Sequence, residues 1–114
     1  ENDKQNALAH LALGQVLLRD NDIAAAEMAF REVLRYTDSA PAHLHIGKIL
    51  MDRHDYVGAE HEYREVLRID ATNAPAQIDL AQIELDRAQA ERLPYIAFWI
   101  SLGLLLWLTC ESNL

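Results

Sequence analysis

The sequence predicts an all-α protein, an α-solenoid of short paired helices followed by a single apolar C-terminal helix. Three observations lead to this prediction. Apolar residues recur at helical spacing through about the first ninety residues. Most of that stretch repeats itself with a period of 33 residues. Four Gly and three Pro are too few turn signals for a sandwich or barrel of many short strands.

The composition excludes several classes of protein. Apolar residues make up 51% of the chain, which is typical of a folded domain and not of a disordered segment. The single cysteine, Cys110, cannot form an intramolecular disulfide, so a disulfide-stapled scaffold is excluded. The formal net charge is −8, and phosphate backbones repel an acidic chain. We therefore expect no nucleic-acid partner.

An internal repeat organises the first part of the chain. Residues 7–35 align without gaps on residues 40–68, at a shift of 33. The run Arg-Glu-Val-Leu-Arg occurs unchanged at 31–35 and again at 64–68. Because so many matches in one register are not expected by chance in a short chain, the two segments are predicted to be copies of one structural unit.

Each unit reads as two helices joined by a polar turn. Asp22 and Asp55 stand where the second helix of each unit begins, and a short acidic side chain there accepts free N–H groups of the first turn. Ser39 and Asn73 precede Ala-Pro pairs and are equally good caps for the helices that follow. Within the second helix of the first unit, the spacing of Glu27 and Arg31 predicts an ion pair four residues apart.

Residues 74–92 read as one further helix that caps the stack. Its apolar positions recur at helical spacing at Ile78, Leu80, Ala81, Ile83 and Leu85. A short helix pair cannot bury both of its faces alone, whereas stacked pairs and a capping helix form one continuous core. The third unit consists of this single helix, which is predicted to cap the stack.

These residues resemble the tetratricopeptide repeat family over roughly residues 7–92. Ile46 and Gly47 take the place of the Leu-Gly pair of the first helix. Ala59 takes that of the small residue at the helix crossing, and Tyr63 that of the aromatic that packs back onto the first helix. The corresponding residues of the first unit are Leu13, Gly14, Ala26 and Phe30. The resemblance implies an α-solenoid that binds protein partners.

The resemblance also implies a concave groove for a partner, lined by the first helix of each pair. The residues carried over to it are Leu8, Leu11, Gln15, Leu18, Leu44, His45, Lys48, Met51, Ile78, Gln82 and Leu85. Leu11, Gln15 and His45 replace the Lys and Asn residues of the family's carboxylate clamp, and Asp79 stands near where a basic residue would be needed. An apolar helix or strand is therefore the expected guest. Alternatively, these leucines pack on the chain's own continuation or are scattered surface residues.

Residues 93–110 contain no charged residue. As a helix, this run would be about 27 Å long, against a hydrocarbon core of roughly 30 Å. Pro94 predicts a kink and the first turn of a new helix. Tyr95 and Trp99 lie toward one end and Trp107 toward the other, as interfacial aromatics do. The predicted membrane-anchor residues are Tyr95, Ile96, Phe98, Trp99, Ile100, Leu102, Leu104, Leu105, Leu106, Trp107 and Leu108.

Two alternatives to a membrane span remain for this run. It can be a helix buried by protein, in the groove or in an oligomer, or a sequence foreign to the native protein. If it is a span, Arg87 and Arg92 precede it and no basic residue follows, so the repeats are expected on the cytoplasmic side. Removal of a signal peptide ahead of Glu1 would reverse that orientation.

The sequence predicts no catalytic, cofactor or metal site. The five histidines have no Cys or carboxylate at ligand spacing. Phosphate loops, Gly-rich nucleotide fingerprints and nucleophile elbows are absent from the sequence. Neither an enzymatic activity nor a small-molecule substrate is therefore expected, although a catalytic domain elsewhere in a longer chain stays an alternative.

Together these patterns predict a non-catalytic interaction module tethered to a membrane, which acts as scaffold, assembly or accessory subunit of a membrane protein complex. The alternative is a soluble peptide-binding adaptor whose apolar helix packs in a groove or mediates oligomerisation. The predicted segments are a frayed N-terminus at 1–6, repeats at 7–39 and 40–73, a capping helix at 74–92, the apolar helix at 93–110 and a polar tail at 111–114.

Overall fold

The structure, a computed structural model, describes residues 2–112 and contains five α-helices. They are α1 (Asn2–Arg19), α2 (Ile23–Tyr36), α3 (Ala40–Asp52), α4 (Tyr56–Ile69) and α5 (Ala74–Ser112). No strand occurs among the described residues. The predicted all-α class with helix–turn–helix repeats is therefore confirmed. The chain divides into two compact units, the first ending at Ala81 and the second beginning at Gln82.

Polar caps begin α2, α3, α4 and α5 where the sequence predicts them. In each case a side-chain oxygen accepts a hydrogen bond from the backbone N–H three residues later, at 3.0 to 3.3 Å. These caps are Asp22, Ser39, Asp55 and Asn73. Each satisfies an N–H group that has no partner inside its helix, so local chemistry sets where the helices start.

The two turns inside the repeats have the same backbone geometry. Asn21 has φ of 63° and His54, its equivalent at a shift of 33, has φ of 62°. Asparagine tolerates this left-handed conformation better than most residues do, whereas histidine adopts it at some cost in free energy. The turn geometry is therefore part of the repeat and persists where the residue type changes.

The first compact unit contains both repeats. Its core includes the small and aromatic residues that the repeat pattern singles out. Ala26, Phe30, Ala59 and Tyr63 are each 0% exposed. Gly14 and Gly47 are buried beneath the two rings: a Cβ added to Gly14 would lie 2.5 Å from Phe30 Cε1, and one added to Gly47 would lie 2.8 Å from Tyr63 Cε1. Glycine therefore allows the aromatic ring of α2 or α4 to lie against the backbone of α1 or α3.

The first helix is less covered than its equivalent in the second repeat. Leu13 is 47% exposed, although its equivalent Ile46 is fully buried. The physical reason is that α2 packs on α3, whereas no described helix precedes α1 to cover the same face.

Helix α1 includes most of the segment 1–6, for which fraying stays a prediction. Helix α1 begins at Asn2, so residues 2–6 are helical, and their side chains are exposed. Glu1 lies outside the described residues. Asp3 in the first turn interacts favourably with the positive end of the helix dipole, which favours the helical state of this turn.

The C-terminal part differs from the expected capping helix and separate apolar helix. Helix α5 is continuous from Ala74 to Ser112, with Pro94 inside it, and no break occurs at 92–93. Proline removes one backbone hydrogen bond and crowds the preceding turn. The flanking Ala, Glu, Arg and Leu residues are good helix formers, and here the helix continues through that local cost. Of the predicted tail at 111–114, only Glu111 and Ser112 lie within the described residues.

Candidate interaction surface

The predicted groove residues lie on α1, α3 and α5, and none of them is fully buried. Leu8 is 66% exposed, Ile78 67% and Leu85 52%. Gln15, Lys48 and Gln82 are also exposed. The half-buried members are Leu11, Leu18, Leu44, His45 and Met51. All eleven side chains are thus accessible to a partner, and their role in binding stays a prediction.

One apolar pocket forms around the N-terminal part of the predicted groove. It has a volume of about 300 Å³ and brings together Leu8 and Leu11 of α1 with Val33 of α2. Its remaining lining residues are Lys4, Ala7, Thr37 and Ser39. The two leucines therefore form part of one concave surface suited to an apolar side chain.

A second pocket lies between α3, α4 and the first turns of α5. Its volume is about 310 Å³, and it is lined by Lys48, Met51, Asp52, Tyr63 and Asp79. Lys48 and Met51 belong to the predicted groove. Asp52 and Tyr63 were not predicted as site residues, and Asp79 was noted only as unsuited to a carboxylate clamp. The difference in sequence between Tyr63 and its equivalent Phe30 is the signal that could have indicated a polar site here.

The other predicted groove residues line neither of these two pockets. His45 has a packing role, because its ring stacks on Phe30 with centroids 4.5 Å apart and planes at 11°. Burial lowers the pKa of His45, and the nearby charge of Lys48 lowers it further. This imidazole is therefore expected to cover the Phe30 ring as an uncharged aromatic group at neutral pH.

A cluster with metal-ligand chemistry occurs at the junction of the two repeats. One ligand atom each from Asp38, His43 and Glu65 lies within 4.8 Å of the others. Arg68 already pairs with Asp38 and, at 2.9 Å, with Glu65. His43 Nδ1 lies 2.6 Å from Glu62 Oε2. Each of these three side chains already forms a hydrogen bond or ion pair with another side chain of the protein. The cluster is therefore explained as an ion-pair network, and we assign no metal to it.

A second ion-pair group links the two repeats through Glu27 of α2. Its carboxylate accepts hydrogen bonds from Arg31, at 2.7 Å, and from Arg53, next to the end of α3. The predicted pair of Glu27 and Arg31 is thereby confirmed. Burial alone would raise the pKa of Glu27, but the hydrogen bonds from the two arginines outweigh burial and lower it.

The apolar segment is exposed along the described part of α5. Of the eleven predicted anchor residues, Leu102 is half-buried and the other ten are exposed. Among the described residues, α5 is the one helix that is long and apolar enough to cross a membrane. Trp99 makes edge-to-face ring contacts with Tyr95 and Phe98. Such length and composition identify a membrane-span candidate, and some core helices of soluble proteins share them.

Comparison with known proteins gives one family. A family model described as tetratricopeptide repeat matches residues 2–41 and, in a second overlapping register, residues 11–74. Together the two matches cover more than half of the chain and contain all of α1 to α4. The comparison with curated proteins gives no match.

Proposed function

Because the chain belongs to the tetratricopeptide repeat family, whose repeats generally bind proteins, we propose that it is a non-catalytic interaction module tethered to a membrane. It acts as scaffold, assembly or accessory subunit of a membrane protein complex. The observation that carries this proposal is the uncharged, exposed run at 93–110, which follows a set of binding repeats in the same chain.

The first argument for a membrane is the cost of leaving this segment in water. Large apolar side chains such as Phe98, Leu105 and Trp107 are each more than half exposed. Soluble monomers rarely expose contiguous apolar patches of more than a few hundred Å². Insertion of nine Leu, Ile and Phe residues into hydrocarbon is favourable by about 3 to 5 kcal/mol. A bilayer is therefore a suitable environment for the run.

The second argument concerns the partner. The pocket around Leu8 and Leu11 is mainly apolar, and Ile78 at the start of α5 is a further exposed apolar residue of the same compact unit. An apolar segment of a membrane protein suits such a surface. Tethering to the same bilayer raises the effective concentration of that partner. In this proposal Arg87 and Arg92 keep the repeats on the cytoplasmic side.

The membrane tether is tested by extraction with alkaline carbonate. The full chain and a version that ends at Arg92 are expressed with membranes present and washed. We expect the full chain to remain in the membrane pellet and the shorter version to be released. If the full chain washes off as a discrete oligomer, the tether is wrong and the soluble adaptor, with its apolar helix buried between copies, is the better description.

The groove is tested separately by site-specific photo-cross-linking. A photoreactive amino acid is placed at Leu8 and, as the control, at Met28 of α2, which is 73% exposed but lies outside the predicted groove. We expect cross-links to a membrane-complex subunit from Leu8 and not from Met28. Equal labelling from both positions would contradict the assignment of the groove as the binding surface.

A further inference from the structure

One face of α1 is exposed, although the equivalent face of α3 is buried. Leu13 and Val16 of α1 are each 47% exposed. Their equivalents at a shift of 33, Ile46 and Ile49, are 0% and 3% exposed. Each of these two helices packs on the second helix of its own repeat, α2 or α4. The difference therefore arises outside the repeat, because α2 also packs on α3 and no described helix precedes α1.

The exposed residues lie along one side of α1 and the turn after it, at spacings of four, three and four. They are Ala9, Leu13, Val16 and Asp20, and we call them the end face. All four are exposed, whereas Ala42, the equivalent of Ala9, is fully buried. Met28 of α2 is not part of the end face, because its equivalent His61 stays exposed in the covered repeat.

The second repeat shows what kind of element covers this face. There α2 lies on α3, and the ring of Phe30 stacks on His45 with centroids 4.5 Å apart. Just after the end of α3, Arg53 donates a hydrogen bond to Glu27 of α2. The occupied form of the face is thus a helix that provides apolar contact along α3 and a charge at its end.

The charge at the end of this face is inverted in the first repeat. Asp20 is the equivalent of Arg53, and its carboxylate forms no ion pair with any described residue. A helix that lies on α1 as α2 lies on α3 would bring its own residue at the Glu27 position next to Asp20. Because like charges repel, a glutamate is disfavoured at that position and a lysine or arginine is favoured.

Two occupants other than a partner are disfavoured. A second copy would have to offer α2 or α4, which carry Glu27 and Glu60 at the position that faces Asp20. A helix joined to α1 as α2 is joined to α3 would need a turn at residues 4–6, the equivalents of residues 37–39. Residues 4–6 lie inside α1 instead. The end face therefore favours a helix from a separate protein.

We propose that the end face binds an amphipathic α-helix of a partner protein, which carries a lysine or arginine opposite Asp20. This helix lies on α1 as α2 lies on α3, so its apolar side covers Leu13 and Val16. The end face shares no residue with the predicted groove. The inference therefore adds a second interaction surface to the proposed function and does not depend on the membrane tether.

The test measures binding of a helical peptide that copies residues 22–36, which include α2. A hydrocarbon staple joins the positions of Ala24 and Met28, which are exposed in α2. The staple is needed because isolated helices of this length are marginal in water. One version of the peptide keeps Glu27 and the other carries Glu27→Lys. Fluorescence anisotropy reports binding to the full chain in nanodiscs of zwitterionic lipid, or to its soluble oligomer if it does not enter them, with empty nanodiscs as the blank.

The charge of the guest is tested first. We expect the Glu27→Lys peptide to bind about threefold more tightly than the Glu27 peptide, as is typical of an exposed ion pair. Asp20→Arg should reverse this preference, because it restores the charge that Arg53 provides in the second repeat. Asp86→Arg is the matched control, since it changes the net charge equally at an exposed residue of the second compact unit and should leave the preference unchanged.

A second pair of variants locates the apolar contact. Leu13→Glu should weaken binding of both peptides by at least about tenfold, since burial of one leucine side chain commonly contributes that much. Val57→Glu is the control, because Val57 of α4 is 76% exposed and lies outside both the end face and the predicted groove. Both substitutions are at exposed positions, so each Tm should stay close to that of the parent chain, and it is measured alongside.

Other outcomes overturn the inference. If both peptides bind equally and Asp20→Arg has no effect, the charge of Asp20 does not select the guest. If Leu13→Glu has no effect, the peptide binds to a different surface. If mass photometry detects dimers of the full chain that Leu13→Glu dissociates, a second copy covers the end face. If a longer form of the protein does not bind the peptide although residues 1–114 do, its own chain provides the covering helix.

These results are independent of the tests of the proposed function. Retention in carbonate-washed membranes and the cross-link from Leu8 report on the tether and the groove, which contain no residue of the end face. The proposed function can therefore hold when the end face fails to bind a helix. Conversely, loss of the tether or of the Leu8 cross-link leaves the peptide measurements valid.

Discussion

Gly14 and Gly47 are the residues of α1 and α3 against which the buried aromatic ring of each repeat packs. Above each of them lies a fully buried aromatic ring, Phe30 or Tyr63, which other core residues hold in place. Any side chain at these positions would occupy the space of the ring. The spacing of the helices in a repeat thus depends on the absence of a single methyl group.

Gly47→Ala should destabilise the protein by about 1 to 3 kcal/mol, the usual cost of forcing extra atoms into a packed core. The new Cβ would lie 2.8 Å from Tyr63 Cε1. Gly103→Ala is the control, because nothing lies within 4 Å of its added Cβ and alanine favours a helix. Free energies of unfolding from denaturant titrations of the full chain check the prediction. Equal values for the two variants would contradict it.

We expect His45 to make the stability of the fold depend on pH. Burial lowers the pKa of His45 in the folded chain below the value of about 6.5 in an unfolded chain. The folded state then favours the neutral ring, so stability is fully present above pH 6.5 and is lost as the pH falls through that value toward the folded pKa. We expect a lower Tm at pH 5.5 than at pH 7.5.

The variant His45→Phe keeps a ring on Phe30 and removes the titration. It should show a much smaller change of Tm between the same two pH values. Glu27 and Asp38 also have lowered pKa values, Asp38 because Arg68 donates a hydrogen bond to it. The stability that these two carboxylates contribute is lost only at more acidic pH, as each is protonated. If His45→Phe loses as much Tm between pH 7.5 and 5.5, another group is responsible.

At the scale of elements, the starts of the helices and the course of α5 have different origins. The N-caps Asp22, Ser39, Asp55 and Asn73 are local features, each within one turn of the N–H group that it binds. The continuity of α5 through Pro94 depends on many residues, because the helix propensity of the flanking residues must offset the local cost of the proline. The sequence therefore predicts helix starts well and predicts a break at Pro94 that the structure does not contain.

Pro94→Ala tests this continuity. In a continuous helix the substitution restores one backbone hydrogen bond and removes a steric clash, so it should slow amide exchange in the surrounding turns by up to about 3 kcal/mol of local stability. Pro75→Ala is the control, because proline in the first turn of α5 lacks only an N–H that has no partner there. Hydrogen exchange measured by mass spectrometry compares the two. If exchange around residue 94 is unchanged, a break at Pro94 is the better description.

At the scale of the whole molecule, charge and apolar surface are separated along the chain. All ten Lys and Arg precede residue 93, and residues 93–110 carry no charge. The network of Glu27, Arg31 and Arg53 connects the repeats of the first unit. The described side chains of the uncharged run are exposed almost throughout. Binding repeats and a bilayer-compatible segment in one chain suit a subunit that holds others at a membrane.

The depth of each position in the bilayer provides a prediction at this scale. Ile100→Lys places a charge near the middle of the proposed span and should oppose insertion by about 2.5 to 3.5 kcal/mol, so most of the protein should be lost from carbonate-washed membranes. Leu93→Lys is the control, since a lysine at the end of a span extends to the interface. Leu93 and Ile100 are similarly exposed, at 63% and 59%. Equal retention of the two variants would contradict a span.

The sequence by itself determined the repeat, the helix caps, the family and the apolar run, because each depends on residue types at fixed spacing along the chain. Only the tertiary structure placed Tyr63 of α4 beside Asp52 of α3 and Asp79 of α5. The pattern of the repeat assigns Tyr63 to packing and contains no information on which polar side chains lie beside its hydroxyl. That information depends on which side chains of three helices meet, and here the small aspartate replaces the ring that covers the first repeat.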